Sequence, residues 1–455
     1  KKIYETKNKI IIESFINHPH YTLPQCIIAK KLSEVYKLEC VGLVRKGDIV
    51  AESIMKSFKI NKILRLNNGN IFLRFFFYLK TIKIMGFNKS LKWLVNYKFN
   101  QIEIGKNVYE HYVRHSKNPS PKKISPVIYR FFSEALMYNF KYNQMFRDTN
   151  ISFWLQSEAQ FIPFRIFFQN TLKNGSQILS RFGLSNVSVK KFDHYNQRNL
   201  NRSSYNKKLI NYFFFNHRRK LINKANKKIN YLLKKIGSED RLLDYKFTRR
   251  KFFTSKKMLC EFFKWKENKP IILILAHELS DGNFNNRWNL FLDDKEWLEQ
   301  TIKKIRSIKD VNWLIKPHPS EKIYNSKINT KSLFNEFIDE KISNVKLFPD
   351  DYNVNNFYKF ITAAITSHGT PGYEYPALGI PTIVCGDTSY YGLGFNKEPK
   401  SRKAYFSLLK NIKNIKSLSN DQQDKSKVFW YVFNFLGKAI IPTIHYSSVN
   451  MDYDR

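Results

Sequence analysis

The C-terminal half of the chain alternates short apolar runs with amphipathic stretches, and this alternation restricts the possible folds more than any other feature of the sequence. Residues 271–276 form a continuous apolar run, which is typical of a strand buried on both faces. Residues 295–308 have helical periodicity. Further strands are predicted at 311–315, at 345–348, within 357–366 and at 381–385. This succession predicts an α/β domain over 270–418 with one doubly wound parallel sheet.

The N-terminal half, residues 1–215, carries the same pattern less regularly. Strands are predicted at 25–29, 39–44, 150–155 and 177–181. A helix predicted at 161–172 lies between the last two strands, and a strand, a helix and a strand in this order indicate a parallel unit. We therefore expect a second α/β domain in this half.

Two further segments flank the C-terminal domain. Residues 216–269 are strongly basic and are predicted to form a helical connection between the halves. In the tail, residues 419–455, Ser419 and Gln422 have the spacing of a capping box ahead of an amphipathic helix. Because the apolar side of that helix needs a partner beyond the sheet, we expect it to pack back on the N-terminal half.

The composition excludes several classes of protein. Hydrophobic residues make up 43% of the 455 residues, which is ample for large cores and excludes global disorder. The four cysteines have neither CxxC nor metal-ligand spacing. This pattern predicts neither a disulfide scaffold nor a zinc site, and it fits a reducing cytoplasm. No apolar run reaches the ~18 residues that a membrane span needs.

The chain is strongly basic, with 78 Lys and Arg against 37 Asp and Glu and a formal net charge of +41. Such a surface attracts phosphates on nucleotides, nucleic acids, anionic lipids or acidic glycans without selecting among them. Charge is the only feature that favours a nucleic acid-binding protein. No nucleic acid-binding module is recognisable in the sequence.

Three polar loops follow predicted strands, at 277–282, 317–319 and 366–374. Parallel sheets bind ligands at the carboxyl ends of their strands, near the point where the strand order reverses. If the order is 3-2-1-4-5, the first and third loops flank that point. We therefore expect these loops to converge on one ligand site.

The loop at 366–374 combines small hydroxyl residues with a predicted helix start. Thr370 suits an N-cap and Pro371 suits the first helical position, and a free helix N-terminus favours phosphate. Gly369 lets a ligand approach closely, and Glu374 is placed to accept hydrogen bonds from ribose hydroxyls. The ligand-binding residues predicted in this loop are Thr366, Ser367, His368, Gly369, Thr370 and Glu374. The alternative is a plain strand–helix turn with a capping threonine.

His318 lies between Pro317 and Pro319, which fix the backbone on both sides of the imidazole. An imidazole held at a strand end can donate to a phosphate or protonate a leaving oxygen. The alternative is a turn histidine that hydrogen-bonds a backbone carbonyl. The neighbouring Lys316 is either a further phosphate ligand or a solvated charge.

Two other loops carry candidate residues. Asp281, close to His277 and Glu278, is a candidate base, metal ligand or loop cap. In the loop at 386–395, Tyr390 and Tyr391 lie among three glycines. That composition suits a mobile rim that stacks on a base or a sugar, and the alternative is an ordered surface turn.

At these positions the chain resembles a GT-B glycosyltransferase of the capsule or surface-polysaccharide type, a group that includes Kdo-transferase-like and polysialyltransferase-like enzymes. The matching segments are 271–298, 313–320 and 365–386. The resemblance relates His318 to the family's donor-phosphate histidine and Glu374 to its ribose-binding glutamate. The residues related to the family's Ser/Thr-rich motif are Thr366, Ser367 and Thr370.

This resemblance implies two Rossmann-like domains with parallel sheets that face each other across a cleft. It implies transfer of a sugar from a nucleotide-activated donor, for example a CMP-linked sugar, to a glycan or lipid-linked glycan of a surface or capsular polysaccharide. The donor is a substrate, so neither a cofactor nor a metal is implied. His318 would neutralise the departing phosphate. The candidate bases are Asp281 and, in an acceptor-side segment at 157–175, Glu158.

Two alternative enzymes share these features. A CDP-glycerol or ribitol phosphotransferase shares the His-Pro pair and the helix start, and an NDP-sugar epimerase shares the architecture. The expected location is the cytoplasm, including the anionic face of the inner membrane, which suits the positive surface.

Overall fold

The computed structural model of the protein describes residues 8–16, 18–156, 158–182, 186–197, 207–234, 251–281, 288–324, 326, 328–354, 357–436 and 438–440. The chain divides into two compact units. Described residues within Lys1–His115, Pro121–Leu200 and Gly437–Arg455 belong to unit 1, and those within Ser116–Ser120 and Asn201–Leu436 belong to unit 2. Each unit is built on its own parallel-dominated sheet, so the predicted α/β class is confirmed.

Unit 1 has a seven-stranded sheet in the order β13-β6-β5-β4-β1-β2-β3. In chain order, its strands are β1 (Lys9–Ser14), β2 (Glu39–Arg45), β3 (Ile63–Leu66), β4 (Ile151–Gln156), β5 (Gln177–Phe182), β6 (Asn186–Phe192) and β13 (Lys438–Ile440). The strands from β5 to β3 are parallel, whereas β6 pairs antiparallel with β5 and with β13. The helices in this part of the chain are α1 (Pro19–Tyr36), α2 (Ile49–Ser57), α3 (Ile71–Met85), α4 (Leu91–Asn96), α5 (Ile104–Ser116), α6 (Pro126–Phe146) and α7 (Phe164–Lys173).

The N-terminal strand predictions are partly correct. The strands predicted at 39–44, 150–155 and 177–181 are confirmed as β2, β4 and β5. The strand predicted at 25–29 is wrong, because these residues lie in α1. Cys26 and Ala29, three positions apart, are buried on the core side of that helix, so the apolar run reflects helical burial. The sequence predicts no strand at β1, although Ile10 and Ile12 lie in the core.

Unit 2 has a six-stranded sheet in which every described pair is parallel, in the order β12-β11-β10-β7-β8-β9. In chain order, its strands are β7 (Ile271–Leu275), β8 (Asn312–Lys316), β9 (Val345–Leu347), β10 (Ala363–Thr366), β11 (Thr382–Val384) and β12 (Asn396–Lys397). Its helices are α8 (Lys207–Lys234), α9 (Lys256–Phe263), α10 (Asp294–Ile305), α11 (Glu321–Tyr324), α12 (Thr330–Phe337), α13 (Pro371–Ala377), α14 (Arg402–Lys410) and α15 (Asn420–Phe435). Counted from β7, the first five strands have the order 3-2-1-4-5, which reverses between β7 and β10.

Helices on both faces of this sheet explain the continuous apolar run that the sequence shows at β7. Ile271 and Leu273 lie in a buried cluster with Phe263 of α9. Ile272 and Ile274 lie in the cluster on the other face, which includes residues of α10. Because successive side chains of a strand point to opposite faces, a strand covered on both sides has no polar positions.

The tail begins as predicted. The capping box between Ser419 and Gln422 is present at the start of α15. Within unit 2, α15 packs against α8 and α13, where Phe429 contacts Tyr373. The predicted packing of this helix on the N-terminal half stays a prediction. An amphipathic pattern identifies the apolar side of a helix and not its partner. The part of the tail that joins unit 1 is β13. The other predicted domain boundaries stay predictions.

In the part of the chain that the structure describes, no helix has both the length and the apolar character that crossing a membrane requires.

Candidate active site

Three histidines come together at the carboxyl edge of the unit 2 sheet, where the strand order reverses. His277 follows β7, His318 follows β8 and His368 follows β10. The ring centroids of His277 and His368 are 4.3 Å apart, and those of His277 and His318 are 5.4 Å apart with nearly parallel planes. The structure thus brings two predicted residues, His318 and His368, into one cluster through His277.

Asp294, the first residue of α10, holds two of these rings. Its buried carboxylate oxygen Oδ2 lies 3.1 Å from Nε2 of His368 and 3.3 Å from Nδ1 of His277. Burial alone would raise the pKa of Asp294, but the two imidazoles outweigh it and hold that pKa well below its usual range. Burial lowers the pKa of His368, but the charges of Asp294 and Asp281 outweigh it and raise that pKa. The arrangement favours a carboxylate paired with an imidazolium.

Backbone contacts fix which ring nitrogens carry protons. Nδ1 of His277 lies 3.3 Å from both the Glu278 carbonyl oxygen and Asp294 Oδ2, so this nitrogen is placed to donate. Nδ1 of His318 accepts a hydrogen bond from the Ser320 backbone amide at 3.2 Å. A neutral His318 therefore carries its proton on Nε2, which makes that atom a hydrogen-bond donor.

The same cluster has the composition of a metal site. His277, Asp294 and His368 each offer a ligand atom, and these atoms lie within 4.8 Å of one another. Two imidazoles and one carboxylate are ligands that zinc and other first-row transition metals accept. Asp294 Oδ2 also contacts both rings directly, so the three side chains fit an ion-paired cluster as well as a metal site.

The loop after β10 is closely packed at Gly369. Thr366 and Ser367 are buried at the end of the strand. A Cβ at Gly369 would meet the Pro371 ring at 3.0 Å and the Thr366 hydroxyl at 3.3 Å, so only glycine fits there without displacement. Thr370 occupies the predicted N-cap position but makes no side-chain capping hydrogen bond, and Glu374 lies in the first turn of α13.

The two tyrosines of the loop at 386–395 differ. Tyr390 is 2% exposed and its ring packs among Tyr373, Phe395 and Phe429, so the predicted role as a stacking residue on a mobile rim is wrong for it. Its hydroxyl donates to the Gly369 carbonyl oxygen at 2.6 Å and so helps to fix the loop after β10. The burial follows from the partners of α15, which the sequence does not reveal.

Tyr391 is half-buried and stands edge-on to Trp288, with a centroid distance of 5.3 Å. The Lys400 ammonium lies 4.1 Å from the centroid of its ring. Lys316, at the end of β8, is 8% exposed, and its ammonium lies 5.9 Å from the centroid of the Phe348 ring. Both alternatives for Lys316, a phosphate ligand and a solvated charge, stay predictions.

The two candidate bases lie in different units. Asp281 is near the histidine cluster, since its charge helps to raise the pKa of His368, and its Oδ2 lies 3.5 Å from the Tyr324 hydroxyl. Glu158 follows β4 in unit 1, where its Oε1 accepts from the backbone amides of Ala159 and Gln160 at 2.7 and 2.8 Å. Their roles stay predictions.

Asp294 is the site residue that sequence reasoning missed. The sequence shows two aspartates in succession at the start of a predicted helix. The structure uses Asp293 as the N-cap, whose side chain accepts from the Glu296 amide at 2.8 Å. Helix capping explains only one of the two aspartates. The second, Asp294, was therefore the feature of the sequence that could have pointed to this site residue.

The His368–Asp294 pair is expected to make stability depend on pH. The pKa of His368 is raised above 6.5, so its contribution is complete below that pH and is lost as the pH rises through the raised value. The pKa of Asp294 is lowered below 3.8, so its contribution is lost only as the pH falls towards the lowered value. In urea unfolding, Asp294→Asn should be less stable than wild type by about 1–3 kcal/mol near pH 5.5 and by less near pH 9.

Asp293→Asn is the matched control, because asparagine also caps helices and the side chain is adjacent to the tested one. It should show no comparable pH-dependent difference. An Asp294→Asn deficit that is equal at both pH values would contradict a protonated His368.

No protein-family model matches the sequence, and no curated protein matches it. Among solved structures, KpsC of Thermosulfurimonas dismutans, a beta Kdo 2,4 transferase, is 13% identical and has a TM-score of 0.38, covering 64% of this chain and 87% of its own. A putative UDP-N-acetylglucosamine 2-epimerase from Listeria monocytogenes is 12% identical with a TM-score of 0.29, covering 92% and 90%. MurG of Acinetobacter baumannii is 9% identical with a TM-score of 0.28, covering 93% and 95%. Identities and TM-scores as low as these carry no argument about this chain. The assignment of its fold class therefore rests on the strand order within each unit.

Proposed function

We propose that this protein is a glycosyltransferase that moves a sugar from a nucleotide-activated donor, for example a CMP-linked sugar, to a surface or capsular glycan or its lipid-linked form. The observation that carries the proposal is the histidine cluster at the reversal point of the unit 2 sheet. That edge is where open parallel sheets bind nucleotides. His318 supplies a hydrogen-bond donor for a phosphate through Nε2, and His368, whose pKa is raised by the charge of Asp294, adds positive charge beside it.

In this proposal the reaction is a displacement at the sugar carbon. The acceptor oxygen forms a bond to that carbon while the bond to the donor phosphate breaks and its electron pair leaves with the phosphate. The two histidines stabilise the charge that develops on the phosphate oxygens, and no cofactor takes part. The acceptor hydroxyl proton passes to a carboxylate, for which Asp281 in unit 2 and Glu158 in unit 1 are the candidates.

A screen for nucleotide release tests the proposal. The full-length protein is incubated with CMP-, UDP-, GDP- and CDP-linked sugars, with and without a glycan acceptor, and in the presence and absence of EDTA. Acceptor-dependent release of one nucleotide, unchanged by EDTA, is the expected result. CDP-glycerol or CDP-ribitol turnover, or a donor converted to its epimer without net release, would assign one of the two alternative activities. Binding of none of these compounds would overturn the proposal.

Glu374 is proposed to bind the donor ribose and to take no part in the chemistry. Glu374→Ala should weaken donor binding by about 1–3 kcal/mol, the range for a hydrogen bond to a charged group. The acceptor KM should change little. Isothermal titration with the nucleotide identified in the screen measures the first quantity. Full donor affinity in this variant would remove Glu374 from the site.

A further inference from the structure

Helix α3 has two apolar faces, and only one of them is covered. Phe77, Thr81 and Met85, four positions apart, are buried, and α3 packs against α6. The opposite face consists of Phe72, Phe75, Phe76 and Leu79, which are 80%, 60%, 57% and 50% exposed. These four positions follow the i, i+3, i+4, i+7 spacing, so they form one continuous strip along the helix. We call this strip the α3 face.

Contiguous exposure of this kind is unusual. Single exposed apolar side chains are normal on soluble proteins, but a contiguous patch marks a contact surface. Phe87, just beyond the end of α3, is also highly exposed and extends the apolar surface.

The chain segment that contains the α3 face is strongly basic. Between Glu52 and Glu103 the sequence has no acidic residue and ten basic ones. These are Lys56, Lys59, Lys62, Arg65, Arg74, Lys80, Lys83, Lys89, Lys92 and Lys98. Arg74 and Lys83 are exposed on α3 itself, and the Lys89 ammonium lies 5.2 Å from the centroid of the Trp93 ring on α4. An aromatic strip flanked by Lys and Arg is the pattern of helices that lie in the interface of anionic membranes.

We propose that the α3 face docks unit 1 on the surface of an anionic lipid bilayer. Phe72, Phe75, Phe76 and Leu79 enter the boundary between head groups and acyl chains, and the surrounding Lys and Arg contact lipid phosphates. The charge argues against a second copy of the chain as the partner. Pairing two α3 faces would bring two sets of cations together with no acidic residue of the same segment to offset them.

Sedimentation of the full-length protein with lipid vesicles tests this proposal. Wild type should bind vesicles of phosphatidylglycerol and phosphatidylcholine at low salt, bind pure phosphatidylcholine at least about tenfold more weakly, and be released as salt rises. The double variant Phe72→Ser/Phe76→Ser should lose about tenfold or more in vesicle affinity. The reason is that two phenylalanine rings no longer move from water into the apolar part of the bilayer.

Phe215→Ser is the matched control, because Phe215 is 75% exposed on the basic helix α8 in unit 2. It should retain wild-type vesicle binding. Lys80→Gln/Lys83→Gln should weaken binding to the anionic vesicles and leave the weak binding to phosphatidylcholine unchanged. Since the substituted phenylalanines are exposed, the unfolding midpoint should stay at its wild-type value, which separates a docking defect from misfolding.

Three outcomes would overturn the proposal. The first is no vesicle binding by wild type at low salt, and the second is equal binding by wild type and Phe72→Ser/Phe76→Ser. The third is a concentration-dependent dimer that the double variant abolishes, which would assign the α3 face to a second copy. Vesicle binding does not depend on the histidine cluster, so His318→Ala should bind vesicles normally whether or not the proposed transferase activity is correct.

Discussion

Replacing His318 with alanine is expected to lower turnover by ~10²-fold or more, the scale of one lost preorganised donor. The reason lies in the contacts of the ring. The Ser320 amide occupies Nδ1, which leaves the proton of a neutral ring on Nε2, and the ring stacks on His277 within the cluster. A donor held in this way needs no reorganisation when charge develops on the leaving phosphate. The measurement is the rate of nucleotide release from the donor identified by the screen.

His318→Gln is the informative companion variant, because the glutamine amide nitrogen can reach about the position of Nε2 and also donates. It should recover part of the activity lost in His318→Ala. Donor binding is measured on the same proteins by titration. If His318→Ala left both turnover and donor binding intact, the glycosyltransferase interpretation of the His-Pro pair would have to be abandoned.

Replacing Glu110 with glutamine is expected to lower the free energy of unfolding by about 3–5 kcal/mol, the usual cost of breaking a buried ion pair. Glu110 of α5 and Arg165 of α7 are both fully buried in unit 1, with 3.0 Å between Oε2 and Nη1. The guanidinium cannot lose its proton, so the substitution leaves a buried positive charge without its carboxylate. Urea unfolding followed by circular dichroism measures the loss.

The double variant Glu110→Leu/Arg165→Met completes this test. Replacing both members of a buried pair by apolar side chains is often neutral or stabilising, so the double variant should recover most of the loss. If Glu110→Gln lowered the free energy of unfolding by less than about 1 kcal/mol, the Glu110–Arg165 pair would contribute as little to stability as an exposed ion pair does.

Much of unit 2 could be predicted from the sequence because its sheet is covered on both faces. At β7, alternate side chains enter two different clusters, so the strand reads as an unbroken apolar run. In β1 the same pattern is present in Ile10, Ile11 and Ile12, yet no strand is predicted there. At 25–29 an apolar run of similar length belongs to a helix. A short apolar run therefore indicates burial and leaves the choice between strand and helix to its neighbours.

The candidate site also contains some residues that the sequence reveals and others that it does not. His318 and His368 are visible in the sequence because each follows an apolar strand directly, and the parallel sheet brings such positions to one edge. Asp294 lies 74 positions from His368, and no local pattern connects them. Tyr390 lies in a loop of glycines and polar residues. Its ring is nevertheless covered by α15, a helix that comes later in the chain.

The sequence by itself determined the alternation of strands and helices in unit 2, the loops that carry His318 and His368, and the capping box of α15, because each depends on residues close together in the chain. Only the tertiary structure decided the partners: Asp294 for His368, Glu110 for Arg165, and α8 and α13 for α15. The same holds for the α3 face, whose apolar residues are evident in the sequence. That four of them remain in solvent follows only from where α6 packs. The physical reason is that hydrophobicity and charge are properties of single residues, whereas burial and pairing are properties of distant residues that the fold brings together.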